Sequence, residues 1–255
     1  MARPSQCLIR AGDRWLAENA IQRHGDNRLL AALPAETLAA MASDLRQVAL
    51  IQGAPIYQAG EPIHEIYFPQ SGMISLLVVN GAGQAVETTT VGREGAVGLH
   101  CAFGPRRSFT RAMAQVAGRF SVIRASQFAQ IARNDAALRD IIQRYTELLW
   151  AEAQQIAACN AMHGASSRLC RWLLQSADRT GSDKLTLTQE LLAQMLGVRR
   201  TTVTLLAQSL QKKGLIKYSR GNVTIVNRGG LQACACECYR IIRHDTLPNL
   251  IGVKL

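Results

Sequence analysis

Polar and basic side chains share one face of a helix predicted within residues 188–213. Projected at about 3.6 residues per turn, that face carries Arg200, Thr201, Thr204, Leu205 and Gln208. Guanidinium, hydroxyl and amide groups on an outward helix face can contact base edges in the major groove of DNA. The spacing therefore favours recognition of nucleic acid over catalysis.

Two short helices joined by a tight turn are predicted to hold this face in place. Gly197 stands where the first helix ends, and a residue without Cβ allows the chain to turn sharply there. The apolar faces consist of Leu191, Leu192, Met195 and Leu196 in the first helix, and Val203, Leu206, Ala207 and Leu210 in the second. This arrangement is a helix-turn-helix. A corner of a helical bundle in an enzyme has the same periodicity.

Two β-rich runs, residues 215–219 and 222–226, follow directly and are separated by Arg220 and Gly221. This pattern predicts a hairpin, and a hairpin after a helix-turn-helix is the wing of a winged helix. The wing favours the winged helix over the bundle corner. Arg199, Lys217 and Arg220 are candidates for phosphate contacts, which position a protein on DNA without reading its sequence.

The positive charge of the chain is concentrated in the same region. The 255 residues carry a formal net charge of +11. Residues 165–255 hold 14 Lys and Arg against 5 Asp and Glu, whereas residues 1–164 hold 15 against 13. A local basic surface is typical of a module that binds a polyanion, most often nucleic acid.

Composition also indicates the cellular compartment in which the protein is expected. No apolar run approaches the roughly 18 residues that a membrane-spanning helix needs, and the amino terminus lacks the pattern of a secretory signal. Seven scattered cysteines do not form the framework of a secreted, disulfide-rich domain. We therefore expect a cytoplasmic protein without a membrane partner.

The part of the chain before the helix-turn-helix changes its periodicity twice. Short β-rich runs punctuated by glycines between residues 45 and 124 predict a β-barrel or roll. From about residue 126 the pattern is helical. Two heptad positions recur over four heptads, namely Ile142, Leu149, Ile156 and His163, and Leu138, Tyr145, Glu152 and Cys159. Such a seam indicates a coiled-coil contact or a helix packed against its own domain.

Residues 187–203, LTQELLAQMLGVRRTTV, resemble the helix-turn-helix of the Crp/Fnr family of bacterial transcription regulators. The resemblance extends more loosely over most of the chain, with Gly53, residues 57–61 and residues 67–69 among its landmarks. It implies an α+β fold with a jelly-roll-like β-roll sensor domain, a long dimerisation helix and a C-terminal winged helix-turn-helix domain. The expected boundaries are 1–27 for an N-terminal extension, 28–137 for the sensor, 138–163 for the dimerisation helix and 164–255 for DNA binding.

The same resemblance assigns roles to individual DNA-binding residues. Arg200 resembles the family arginine that contacts guanine, and Thr188 and Thr202 match threonines at phosphate-contacting positions. Thr201 and Leu205 depart from the glutamate and arginine that many members carry there, so we expect a different operator. Arg199 replaces the usual serine and makes the cap of the recognition helix unusual.

Cyclic-nucleotide-binding members use a Gly-Glu pair and an Arg-Ser/Thr-Ala run. The nearest matches here are Glu94, which follows Arg93 rather than glycine, and Arg107 with Ser108, which precede Phe109. Both motifs are broken, so we expect neither a cyclic nucleotide nor any other cofactor. Turns and surface charge of the roll are the favoured interpretation of these residues.

The cysteines give no strong ligand signature either. Only Cys7 lies near the amino terminus, so no iron–sulphur cluster is expected. The adjacent pair His100 and Cys101 is a weak haem or metal signal. Projected on one helix, Cys234 and Cys238 share a face and Cys236 points away, which predicts no metal site. Apolar packing is the favoured role of this segment, and thiol redox sensing is the alternative.

Together these features predict a homodimer that binds an inverted-repeat site in double-stranded DNA, with RNA polymerase as a further partner. No Walker loop, nucleophile elbow, His-Glu-x-x-His or dinucleotide fingerprint is present, so no enzyme is expected. Alternatives are regulation by a cyclic nucleotide or by cysteine redox chemistry. A ligand-binding signalling module without DNA specificity is a further alternative.

Overall fold

Short strands in the N-terminal half pair into two antiparallel sheets. The computed structural model describes residues 20, 22–104 and 106–243. The sheets have the strand orders β1-β7-β3 and β2-β6-β4-β5. The elements of this half are α1 (Arg28–Ala31), α2 (Ala35–Ala42), β1 (Arg46–Leu50), β2 (Pro55–Tyr57), β3 (Glu65–Pro69), β4 (Met73–Val79), β5 (Ala85–Val91), a 3-10 helix (Leu99–Phe103), β6 (Arg111–Val116) and β7 (Gly118–Arg124).

The two sheets share one apolar core. Ile74 of β4 belongs to the same buried cluster as Phe120 and Val122 of β7, and all three are fully buried. Burial of alternate side chains between facing sheets is the main source of stability in such a β-roll. The predicted roll is confirmed.

The segment just before α1 is held against the sheets. Asn27 is fully buried, and its Nδ2 donates hydrogen bonds to the carbonyls of Pro69 and Gly95 at 2.9 and 2.8 Å. His24 is 4% exposed, and its Nδ1 lies 2.6 Å from Oγ of Ser121. Residues 24 and 27, which belong to the predicted N-terminal extension, are therefore fixed on the sheets. Residues 1–19 of the extension lie outside the described part.

The C-terminal half is mainly helical. Its elements are α3 (Ala125–Asn134), α4 (Ala136–Met162), α5 (Ala165–Thr180), β8 (Lys184–Thr186), α6 (Gln189–Leu196), α7 (Arg200–Lys212), β9 (Ile216–Ser219), β10 (Asn222–Ile225), α8 (Arg228–Cys234) and α9 (Cys238–Ile242). The strands form a third antiparallel sheet of order β8-β10-β9. None of the helices in the described ranges combines the length and apolar character required to span a bilayer.

The C-terminal helical half packs directly on the β-roll. Met73 and Leu77 of β4 belong to the same buried cluster as Trp172 of α5 and Met195 of α6. The two domains therefore share apolar core in this conformation, and their arrangement is fixed by more than the connection between α4 and α5.

The long predicted helix is present, but its heptad seam faces its own subunit. Leu138, Ile142 and Tyr145 lie in the core of the N-terminal half, and Ile156 and Cys159 pack against residues of α9 and the turn before it. The hypothesis that this seam is the dimer contact is therefore wrong. The sequence repeat marks a buried stripe, and the repeat alone does not say which molecule covers it.

Candidate DNA-binding surface

The helix-turn-helix is built from α6, a glycine turn and α7. Thr188 caps α6, with its Oγ1 accepting a hydrogen bond from the amide of Leu191 at 3.2 Å. Gly197 has φ +62°, a left-handed conformation that costs glycine little and closes the end of α6. Val203, Ala207 and Leu210 of α7 are buried. The predicted helix-turn-helix is confirmed, with its apolar faces inward.

The outer face of α7 is open to solvent. The exposed residues at its start and along this face are Arg199, Arg200, Thr201, Leu205 and Gln208, whereas Thr202 and Thr204 are half-buried. Leu205 is 67% exposed. An apolar side chain left this exposed on a polar face can pack on a thymine methyl group in the major groove.

The N-terminus of α7 is suited to a phosphate. No side-chain hydrogen bond caps this helix at Arg199, as expected from the loss of the usual serine. The first amides of a helix have no partner within it, and they attract anions together with the helix dipole. Arg199 and Arg200 add two full charges at the same end.

One residue that the sequence pattern missed orients this face. Gln189, the first residue of α6, accepts hydrogen bonds through Oε1 from Oγ1 of Thr204 at 3.0 Å and from Nε of Arg200 at 3.5 Å. It thereby ties the recognition helix to α6. Its place directly after the cap Thr188 was the available signal, because helix N-termini face the DNA backbone in this motif.

The wing completes a groove beside α7. Arg220 has φ 47° and Gly221 φ 78°, the pair of left-handed residues that a two-residue hairpin turn requires. Tyr218 fixes the wing, because its amide donates to Oε1 of Gln211 at 2.7 Å and its hydroxyl to the carbonyl of Leu187 at 3.1 Å. The predicted hairpin is confirmed, and β8 adds a third strand to it.

The groove gathers five of the ten predicted contact residues. Its lining includes Thr188, Arg200, Thr204, Gln208, Ser219 and Arg220. Lys217 is exposed on β9 of the same wing. Within residues 22–104 and 106–243, none of Arg199, Arg200, Lys217 and Arg220 forms a salt bridge. Their charges are therefore available to phosphates.

The residues matched to an effector site are not gathered in the same way. Glu94 binds Arg179 of α5, with Oε1 2.8 Å from Nε. Arg107 donates through Nη1 to the carbonyl of Gly60 at 2.8 Å, and Ser108 donates to the carbonyl of Thr110 at 2.6 Å. Each of the three side chains is used by a different neighbour.

Arg179 connects three parts of the molecule. Besides Glu94 it binds Glu152 of α4 at 2.7 Å and Oγ1 of Thr90 in β5. The side chains of Arg179 and Glu152 are each 9% exposed, so Glu152, the one carboxylate of the predicted seam, is buried within its own subunit. Burial raises the pKa of Glu152, and the guanidinium of Arg179 opposes that rise.

A second polar contact crosses the domain boundary at Glu87 of β5, which is 6% exposed. Nε1 of Trp172 in α5 donates to Oε1 at 2.7 Å, and Oγ of Ser75 donates to Oε2 at 2.6 Å. Burial raises the pKa of this carboxyl to about 7, although both hydrogen bonds and the nearby charges of Arg171 and Arg179 lower it.

The C-terminal cysteines do not lie on one helix. Helix α8 ends at Cys234, because Ala235 is extended with ψ 153°, and α9 begins at Cys238. The helical projection used above therefore fails. Cys236 and Cys238 are both buried and lie beside Cys159 of α4, whereas Cys234 is half-buried elsewhere. Cys7 lies outside the described residues.

Comparison with known proteins agrees with this architecture. Residues 47–135 match the family model of the cyclic nucleotide-binding domain, and residues 167–234 match that of the Crp-like helix-turn-helix domain. No curated protein matches the chain.

Several solved structures share the fold. A transcriptional regulator of the Crp/Fnr family from Eubacterium rectale is 17% identical with a TM-score of 0.66, covering 82% of this chain and 98% of that one. FixK2 from Bradyrhizobium japonicum is 17% identical with a TM-score of 0.65, covering 75% and 98%. The c-di-GMP-responsive regulator CLP of Xanthomonas campestris is 14% identical with a TM-score of 0.63, covering 76% and 100%.

At such identities the likeness to solved structures establishes the fold alone. The assignment to a family therefore rests on the two domain models. Together the two models cover more than half of the chain, as a cyclic nucleotide-binding domain followed by a Crp-like helix-turn-helix domain. The chain belongs to the Crp/Fnr family of transcription regulators, with a DNA-binding helix-turn-helix domain.

Proposed function

We propose that the chain is a homodimeric regulator that binds an inverted-repeat DNA site by inserting α7 of each subunit into the major groove. The observation that carries this proposal is the groove between α7 and the wing. It gathers Arg200, Gln208 and Arg220 beside an uncapped helix N-terminus. Arg200 reads a guanine, and Arg199, Lys217 and Arg220 bind phosphates.

The dimer contact is assigned to the outer face of α4, because the heptad stripe is buried within the subunit. Trp150 is 67% exposed, and Ala153 and Ala157 share its face at i+3 and i+7. A large aromatic side chain beside small residues allows a second α4 to approach closely. A second copy of this chain is the occupant that gives two recognition helices a twofold axis, as an inverted repeat requires.

Selection of bound fragments from genomic DNA tests the DNA part of the proposal. We expect enrichment of a palindrome whose half-sites are spaced by about one helical turn, with affinity that falls steeply with salt. Fragments without a shared sequence, together with flat salt dependence, would contradict it and favour a signalling module without DNA specificity.

Sedimentation tests the dimer. Trp150→Asp is expected to shift the protein toward monomer, because it places a charge in the contact. Phe109→Asp is the matched control, since Phe109 is 82% exposed on the sensor domain. If both variants remain as dimeric as the parent protein, the assigned face is wrong.

Cyclic nucleotide control through Glu94, Arg107 and Ser108 is not part of the proposed function. The support is that the Glu94 carboxylate already binds Arg179 and that the Arg107 guanidinium binds a backbone carbonyl. Calorimetric titration with cAMP, cGMP and c-di-GMP is expected to give no heat of binding. Micromolar binding of any of them, lost in Arg107→Ala, would return these residues to an effector role.

A further inference from the structure

Four potential metal ligands meet where the long helix contacts the end of the DNA-binding module. They are Cys159 from the last turn of α4, His163 at the C-cap of that helix, Cys236 from the turn after α8, and Cys238, the first residue of α9. Their ligand atoms all lie within 4.8 Å of one another. All three cysteines are buried, and the side chain of His163 is 20% exposed.

The spacing along the chain suits a shared site. Cys159 lies in the last turn of α4, and His163 is the C-cap residue, whose amide donates to the carbonyl of Cys159 at 3.0 Å. Both residues are therefore at the same end of the helix. Cys236 and Cys238 flank Glu237, at the point where the chain leaves its extended conformation at Ala235 and enters α9. The four ligands thus come from two segments more than 70 residues apart in the sequence.

The distances between the ligand atoms suit tetrahedral coordination. Sγ of Cys159 is 3.5 Å from Sγ of Cys236, and Sγ of Cys238 is 3.6 Å from Nδ1 of His163. Zinc binds sulfur at about 2.3 Å and imidazole nitrogen at about 2.0 Å, which places its tetrahedral ligands about 3.5–3.8 Å apart. Three thiolates and one imidazole are a ligand set that selects zinc among the common divalent ions.

The neighbours of these ligands are arranged as they are around metal sites. Nδ1 of His163 faces the sulfurs, while Nε2 lies 3.1 Å from Oε1 of Glu237. A carboxylate on the second ring nitrogen fixes the tautomer and raises the basicity of a metal-binding histidine. Nε2 of Gln155 also donates to Sγ of Cys238 at 3.1 Å.

A buried cation beside the cluster supplies a second, independent observation. Arg171 of α5 is 4% exposed, lies within electrostatic reach of Cys159 and Cys236, and has an Nε without a hydrogen-bond partner. Within the described residues it forms no salt bridge with a carboxylate. Its Nη1 donates to Oε1 of Gln175 at 2.5 Å, and its charge also reaches the buried carboxyl of Glu87. A buried charge of this kind requires an opposite charge nearby.

We propose that Cys159, His163, Cys236 and Cys238 bind one Zn²⁺ ion that clamps the end of α4 to the C-terminal segment of the DNA-binding module. Binding releases the three thiol protons, so the zinc with its three thiolates and neutral imidazole carries one net negative charge. Arg171 faces that charge. The site is independent of the proposed DNA contacts, because none of its residues lines the α7 groove.

The metal content of the full-length protein, purified under reducing conditions from zinc-supplemented cells, tests the proposal. Elemental analysis is expected to find about one zinc per chain. Replacement by Co²⁺ is expected to give the visible absorption of tetrahedral cobalt together with a thiolate charge-transfer band. If the parent protein takes up neither ion at micromolar concentration, that result alone overturns the proposal.

Single substitutions then identify the ligands. Cys236→Ser is expected to lose at least tenfold in zinc affinity, measured by competition with a chromogenic chelator. Cys234→Ser is the matched control, because Cys234 belongs to the same segment but lies outside the cluster, and it should retain full zinc content. Equal loss in both variants would overturn the assignment.

Glu237→Gln separates a metal site from simple packing. Outer carboxylates typically contribute 10–100-fold to metal affinity, so this exposed substitution is expected to weaken zinc binding within that range. It should leave the thermal stability of the zinc-free protein unchanged. Mass spectrometry without reductant tests the redox alternative. A Cys159–Cys236 disulfide in the purified protein, with no bound metal, would overturn the proposal and favour a redox role.

Discussion

Charged residues are used in opposite ways by the α7 groove and by the boundary between the sensor and DNA-binding domains. Arg200 and Arg220 line the groove and Arg199 lies at the start of α7. All three are exposed and have no carboxylate partner within the described chain. At the boundary, Glu94, Glu152 and Arg179 are partnered and largely withdrawn from water. Charges in the first region are therefore available to a partner, whereas those in the second fix how the domains are placed.

The largest effect is expected when the buried network is broken. Arg179→Ala leaves Glu94 and Glu152 without their partner in a site of low polarity, which typically costs about 3–5 kcal/mol in free energy of unfolding. Chemical denaturation followed by fluorescence measures this loss. Arg46→Ala is the control, because Arg46 pairs with Glu65 at the surface with 53% of its side chain exposed. That pair should contribute at most about 1 kcal/mol. Similar losses in both variants would remove the distinction between the two regions.

Protonation of Glu87 gives the next largest effect. Its pKa is about 7 in the folded protein, against an ordinary value of 4.5, so the folded state holds this proton more tightly than the unfolded state. The contribution of Glu87 to stability is therefore complete below about pH 4.5 and is lost as the pH rises to about 7, by up to about 3 kcal/mol. Arg171 and Arg179 face this carboxyl and limit the loss.

Unfolding measured at a series of pH values between 4.5 and 7.5 tests this expectation, with Glu87→Gln as the variant that cannot ionise. The slope of stability against pH should become less negative in the variant. Glu65→Gln provides the contrast of opposite sign in a series extended below pH 4.5, where the contribution of this carboxylate is lost as the pH falls. Although burial raises its pKa, hydrogen bonds from Arg46 and Tyr67 lower the pKa of Glu65 overall. An unchanged slope in Glu87→Gln would show that this carboxyl is solvated.

Arg200→Ala tests the other region with a smaller effect. A bidentate contact between arginine and guanine contributes about 1–3 kcal/mol of discrimination. The variant should therefore lose preference at one base pair per half-site and keep the stability of the parent protein. Fragment selection measures the preference, and Arg240→Ala is the control, because Arg240 is exposed on α9 outside the groove. Loss of preference in Arg240→Ala as well would show that α7 is not the reading element.

The difference between the regions also explains which parts the sequence could predict. The helix-turn-helix and its wing depend on neighbours within a few residues. Gly197 ends α6, and Arg220 with Gly221 makes the turn of the hairpin, as their local conformations require. The helical period of the apolar side chains in α7 is enough to predict which face of that helix is exposed. The orienting role of Gln189 needed the packing of α6 on α7.

Contacts between residues far apart in the sequence could not be predicted from such local patterns. The heptad repeat of α4 correctly marks a buried stripe, but Tyr145 and Ile156 pack against their own subunit. Glu152 interrupts the apolar seam in the sequence, and only the structure shows that Arg179 is its partner. The cysteine segment was projected on one helix, and no local rule predicted the extended residue Ala235 that brings Cys236 to Cys159.

The smallest expected effect is the loss of one phosphate contact from the wing. Each phosphate neutralised by a basic side chain contributes about 0.9 to the slope of log affinity against log salt concentration on duplex DNA. Lys217→Ala should therefore reduce the slope by about 1, weaken all sequences about equally, and leave both the preferred sequence and the unfolding free energy unchanged. Titration of one operator and one unrelated duplex at several salt concentrations measures this. Because Lys217 is exposed and has no salt bridge within the described chain, a loss of stability in this variant would mean that the wing charges also hold the fold. The contrast with the buried Arg179 network would then be one of degree.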